Sequence, residues 1–127
     1  DPRAAALITA WAHGPRQHIG RNPTPGLWML GGVTALLETS PPGVLATDLA
    51  ACAAYEGAIP AAASVTCPVT LVLGSQDRMT PRKAARTLED AFATPPVVVE
   101  LPNSGHMLML EEPEAVRLAI LAHLAAC

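Results

Sequence analysis

Two short runs of branched apolar residues, "PVTLVLG" at 68–74 and "VVVEL" at 97–101, each lead through a loop into a segment opened by a proline, Pro81 in one case and Pro113 in the other. Runs of this length, bounded by turn residues, are strands of the kind buried on both faces, and a strand, helix, strand, helix order joins parallel strands through a right-handed crossover. Thr80 offers an N-cap and Pro81 suits the first helical position, so the first of these helices is predicted to run to about Phe92. The second opens around Glu112 and Pro113, with Val116, Leu118, Ile120, Leu121 and Leu124 as its apolar residues. The expected class is therefore α/β. Two parallel strands do not make a stable sheet alone, so further strands are expected from elsewhere.

The first half of the chain has a different texture. Ala- and Leu-rich stretches with helical spacing fall at roughly 3–12, 27–38 and 45–56, and the first two are separated by "HGPRQHIGRNPTPG", too rich in Gly and Pro for regular structure. Ala-rich helices bury modest area, so this half is expected to need a partner surface. Half of the 127 residues are apolar and 15% are charged, which points to a packed protein and against a disordered one. A net charge of −3 offers no basic patch for phosphates, which argues against nucleic acid as a partner. No apolar stretch reaches the roughly 18 to 20 residues that span a bilayer, so no membrane is expected. Cys52, Cys67 and Cys127 are few and embedded in apolar sequence, as for buried thiols in a reducing compartment, and the expected location is cytoplasmic.

The candidate chemistry lies just beyond the strands. In open parallel sheets reactive side chains collect in the loops at the carboxyl ends of strands. Asp77 follows the first strand in "LVLGSQDRMTP" and His106 follows the second in "LPNSGHMLMLEEP". A carboxylate and an imidazole on adjacent strand ends can meet: the acid accepts from Nδ1, fixes the tautomer and stabilises the imidazolium, and Nε2 is left to take a proton from a nucleophile. That nucleophile is not apparent, because Ser40, Ser64, Ser75 and Ser104 lie outside any G-x-S-x-G turn and the three cysteines have no such frame.

With Gly74, Asp77 and Pro81 in one loop and Gly105, His106, Glu111 and Pro113 in the other, the segment from Cys67 to Leu124 resembles the C-terminal part of the α/β-hydrolase family. There the acid loop reads like G-x-x-D-x-x-x-P and the histidine loop like G-H-x-x-x-x-E-x-P. The resemblance implies the C-terminal portion of an α/β-hydrolase fold, its last two parallel strands with flanking helices over residues 66–127. Residues 1–65 would be a helical cap, a likeness in placement only. In that family the order is nucleophile, acid, histidine. Asp77 would thus orient His106, and His106 would be general base and acid for a serine upstream of Asp1, in a hydrolase of ester-like or other small acyl substrates. The chain begins at Asp1 rather than Met, and the missing N-terminal part of the fold is its expected partner, so this chain alone is expected to be inactive and poorly folded. Alternatives are a dehalogenase or epoxide hydrolase with an Asp nucleophile, a C–C hydrolase, a cofactor-free peroxidase, and a non-catalytic binding protein of the same fold.

The remaining candidates carry less. Trp28 and Met107 are expected to bind a small-molecule substrate, and Trp11, Met29 and Met109 are weaker candidates for the same pocket. Glu111 and Glu112 precede a helix start, where negative charge complements the macrodipole, so both are expected to serve as helix caps. Ser104 is expected to serve its loop. His13, His18 and His123 lack metal-ligand spacing and are expected to have surface or packing roles, so no metal is expected. No G-x-G-x-x-G or G-x-x-x-x-G-K motif supports a nucleotide cofactor, and none is expected.

Overall fold

The computed structural model describes residues 2–15 and 29–126. Strands β1 (Thr70–Gly74) and β2 (Val97–Leu101) pair in parallel, with Thr70 opposite Val97 and Gly74 opposite Leu101. This register ends both strands level, so the acid and histidine loops leave the sheet side by side. Helix α5 (Arg82–Glu89) makes the crossover between them. Arg82 at its start joins Glu89 at 2.7 Å and Glu100 of β2 at 3.4 Å, which fastens the helix to the strand. After β2 come a single turn, α6 (Leu108–Glu111), and α7 (Pro113–Ala126). Helix α7 lies against β1, where His123 Nδ1 is 2.9 Å from Thr70 Oγ1.

The first half forms α1 (Pro2–Ala12), α2 (Met29–Thr39), α3 (Val44–Ala54) and α4 (Ala58–Ala63). Helices α1 and α2 pack together, with the Thr9 and Thr34 hydroxyls 3.1 Å apart, and α4 lies on α5. The buried apolar residues are mostly small: Ala5, Ala12, Ala62 and Ala119, with Met29 and Leu101. Small side chains let helix backbones approach closely but remove little apolar area from water.

Several expectations are corrected by the structure. The strands are half-buried rather than buried on both faces, because each has one neighbour among the described residues. Cys52 and Cys67 are exposed rather than buried. Cys52 sits on α3, which buries no residue, so apolar neighbours in sequence did not supply a packing partner in space. Thr80 does not cap α5; Pro81 holds that position with an extended ψ of 154°, and the Thr80 side chain is engaged elsewhere. Helix α6 was not foreseen, and it moves Glu111 off the start of α7 and into the interior. Among the described residues no helix is long and apolar enough to cross a membrane.

Candidate active site

Asp77 sits three residues beyond the end of β1, in a loop that its own carboxylate organises. Its Oδ1 accepts the backbone N–H groups of Met79 at 2.8 Å and Thr80 at 2.9 Å, the local turn that an Asp side chain forms readily. Its Oδ2 accepts the Thr80 hydroxyl at 2.6 Å and His106 Nδ1–H at 2.9 Å. Burial by itself pushes the Asp77 carboxyl up. The donations from the Thr80 hydroxyl and N–H, His106 and Met79 together outweigh it and hold the group below its ordinary range.

A carboxylate can only accept, so the proton of this pair is placed on Nδ1. The Thr80 oxygen, 3.2 Å from the same Nδ1, can share that N–H. His106 Nε2 makes no hydrogen bond among the described residues, and the imidazole is 39% exposed against 7% for the Asp77 side chain. The acid is held inside and the base faces out. This is the orientation in which an imidazole can take a proton from an incoming group while its other nitrogen stays tethered.

The two loops are stitched directly to each other. Ser75 N–H donates to Leu101 O at 3.0 Å, Gln76 N–H to Ser104 O at 2.8 Å, and Asn103 N–H to Ser75 Oγ at 2.9 Å. Asn103 takes a left-handed conformation, φ 62°, which Asn tolerates better than most residues and which turns the chain toward His106. The backbone on both sides of His106 is also fastened to the end of α1. Met107 N–H donates to Ala12 O at 2.8 Å, and Gly105 packs so closely on His13 and Gly14 that a Cβ on it would overlap their backbone. Glu111, 1% exposed, closes this junction: Oε2 accepts Gly14 N–H at 3.0 Å, and Gly105 N–H lies 3.1 Å from both oxygens. Its expected role as a helix cap is therefore corrected, because the carboxylate points inward to two backbone donors separated by most of the chain.

The alpha/beta hydrolase family model matches residues 1–119. The chain belongs to the α/β-hydrolase family. As an α/β-hydrolase it is similar in structure to BpoC of Mycobacterium tuberculosis H37Rv, a protein provisionally named a non-heme bromoperoxidase, with a TM-score of 0.68 and 24% sequence identity. The alignment covers 99% of this chain and 46% of that one, so the chain spans about half the length of its structural relative. It has the architecture of the C-terminal portion of the fold, a two-stranded parallel sheet with flanking helices. No curated protein matches it in sequence.

Within this α/β-hydrolase chain, Asp77 and His106 are brought together. Trp28 lies outside the described residues, as do His18 and Cys127. Met107 is half-buried and does not line the cavity of about 250 Å³ beside the acid loop, which is formed by Ala10, His13, Gly14, Pro15, Gln76 and Arg78. That cavity flanks Asp77 through its two sequence neighbours but contains neither member of the pair. Of the weaker candidates, Trp11 and Met109 are exposed and Met29 is buried. His13 is buried with Nδ1 2.8 Å from Thr9 O, and His123 serves the α7 to β1 contact, both packing roles. Among the described residues no group of three or more His, Cys, Asp or Glu could hold a metal ion.

Proposed function

We propose that the protein containing this chain is a serine hydrolase of small ester-like substrates, in which Asp77 and His106 are the acid and base of a triad completed by an upstream serine. The observation that carries this reading is the 2.9 Å hydrogen bond from His106 Nδ1 to Asp77 Oδ2, made by a half-exposed imidazole whose Nε2 has no partner among the described residues. His106 Nε2 takes the serine proton as Oγ attacks the acyl carbon, and the imidazolium is held by a carboxylate already ionised by its four donors. His106 then protonates the leaving alkoxide, takes a proton from water for the second attack, and returns it to Oγ. The oxyanion donors belong to the missing part of the fold. Residues 1–65 serve as a helical lid over the core at 66–127, and Trp28 and Met107 contribute to the acyl pocket. Free thiols at Cys52 and Cys67 suit a reducing, cytoplasmic setting, with no nucleic acid, membrane or cofactor involved.

A second reading takes its support from the name of the M. tuberculosis relative. If hydrogen peroxide replaced water at the acyl-enzyme, His106 would take a peroxide proton, the acyl group would leave as a peracid, and serine would recover its hydroxyl.

The test uses the full-length protein and a p-nitrophenyl ester. His106→Ala and Asp77→Asn should each lower kcat by about four orders of magnitude, the scale seen when the acid of such a triad is neutralised. Near wild-type turnover in both would sink the triad. The upstream residue that a fluorophosphonate labels identifies the nucleophile. If no residue is labelled, an aspartate in the strand-to-helix turn of the full-length sequence where the serine is expected points to a dehalogenase or epoxide hydrolase, and a glycine or alanine there to a binding protein. Peroxide-dependent oxidation of bromide in the presence of a carboxylic acid, lost in His106→Ala, would favour the second reading.

A further inference from the structure

Glu111 is one of the least exposed residues described, 1% exposed, and the triad reading gives it no part. A buried carboxylate is costly unless its oxygens find donors, and here they find two backbone N–H groups, Gly14 at 3.0 Å and Gly105 at 3.1 Å. The second donor belongs to the residue immediately before His106. On the other side of His106, Met107 N–H is held by Ala12 O at 2.8 Å. The imidazole thus projects from a backbone clamped at both flanks to the same three-residue stretch, Ala12 to Gly14. Glu111 brings a side chain into that clamp beside its backbone contacts.

We propose that Glu111 is a positioning residue for His106: its carboxylate locks Gly105 to Gly14 and so sets the ring against Asp77 in the geometry that general-base action needs. The proposal rests on the triad reading above. A carboxylate is the group this junction requires. Both oxygens lie at hydrogen-bond distance from Gly105 N–H, and one also serves Gly14. An amide in the same place would keep one accepting oxygen and turn an N–H₂ toward an N–H, so glutamine should hold the loop imperfectly and leucine not at all.

The experiment compares wild type, Glu111→Gln, Glu111→Leu and His106→Ala as full-length proteins, with folding checked by circular dichroism and kcat and KM measured separately. The expected result is a 10- to 100-fold loss of kcat in Glu111→Gln with KM within about twofold, since small misplacements of a reacting group act on the chemical step. The downfield proton resonance of the His106 Nδ1–H to Asp77 hydrogen bond should broaden or move upfield in the same variant. Glu111→Leu should lose more. A folded Glu111→Gln with unchanged kcat and unchanged resonance overturns the proposal, whatever its thermal stability. If neither Glu111 variant folds, amide exchange in wild type decides: Gly14 and Gly105 must be protected well beyond an exposed loop, and fast exchange at Gly105 overturns the proposal. His106→Ala keeps the two ideas apart, because full activity there removes the triad reading, whereas its inactivity beside an active Glu111→Gln removes this one alone.

Discussion

The loops after β1 and β2 are short and mostly polar, the helices α2 to α4 are rich in Ala and Leu, and the two are specified in different ways. In the loops four backbone N–H groups near Asp77 and His106 reach another segment: Ser75 N–H donates to Leu101 O, Gln76 N–H to Ser104 O, Asn103 N–H to Ser75 Oγ and Met107 N–H to Ala12 O. Among the described residues of α2 to α4 the hydrogen bonds are local apart from that of Thr34 with Thr9 of α1, α3 buries no residue, and Leu36 stays 68% exposed. Apolar composition alone therefore leaves a segment without a unique place. What specifies position is backbone interlock between segments distant in sequence, and that interlock surrounds the two residues with candidate chemistry.

The largest expected effect separates the regions by the sign of one substitution. A Cβ on Gly105 would overlap the backbone of His13 and Gly14, whereas one on Gly32 in α2 would meet nothing among the described residues. Gly105→Ala should destabilise the full-length protein by about 3 kcal/mol, the upper end of overpacking, because the obstructing atoms are backbone on two fastened segments. Gly32→Ala, in a helix, should stabilise it by roughly 0.5 to 1 kcal/mol. Urea midpoints measure both, and a tolerated Gly105→Ala would show that the junction is looser than its packing.

A second, smaller contrast concerns two threonine hydroxyls. That of Thr80 donates to the Asp77 carboxylate at 2.6 Å, and that of Thr39 donates to Ala35 O at 2.8 Å on an exposed turn of α2. Thr80→Val removes a hydrogen bond to a charged acceptor and should cost about 1.5 kcal/mol, with roughly tenfold lower kcat as the acid loosens. Thr39→Val should stay within about 0.5 kcal/mol of wild type and leave kcat unchanged. Equal effects at the two sites, read by urea unfolding and ester turnover, would break the distinction between the regions.

What was legible in the sequence follows the same division. The strand at 97–101 is located to the residue and the other within two, because a short branched run has few other ways to be buried; the helix opened by Pro113 follows, whereas the other starts at Arg82, after Pro81, and ends at Glu89 rather than near Phe92. Asp77 and His106 could be found because each lies a fixed few residues beyond a strand, a local relation. Glu111, Thr80 and Gly14 were missed or given the wrong role because their partners come from elsewhere in space. Glu111 next to Pro113 reads as a helix start, and only the fold shows its carboxylate meeting Gly14, 97 positions away. Thr80 reads as an N-cap until Asp77 turns back on it. The spacing between Gly105 and Glu111 was visible and carried the family resemblance, but spacing does not say which way a side chain points.

The smallest expected effect is a pH dependence confined to the acid loop. In the unfolded chain the Asp77 carboxyl titrates near its ordinary 3.8, and in the folded loop it titrates lower, since the donations from Thr80, His106 and Met79 outweigh the opposing effect of burial. Between those two values the unfolded chain binds more protons than the folded one, so stability rises with pH across that window. The contribution is fully present above 3.8 and is lost as pH falls through the lower folded value. Asp77→Asn has no such titration. The stability gap between wild type and Asp77→Asn in the full-length protein should therefore narrow when urea midpoints are compared at pH 7 and pH 3, while the gap between wild type and Thr39→Val stays constant. A gap that did not change with pH at Asp77 would mean that its four donors do not favour the ionised carboxylate, and the loop would then owe its order to the backbone stitches alone.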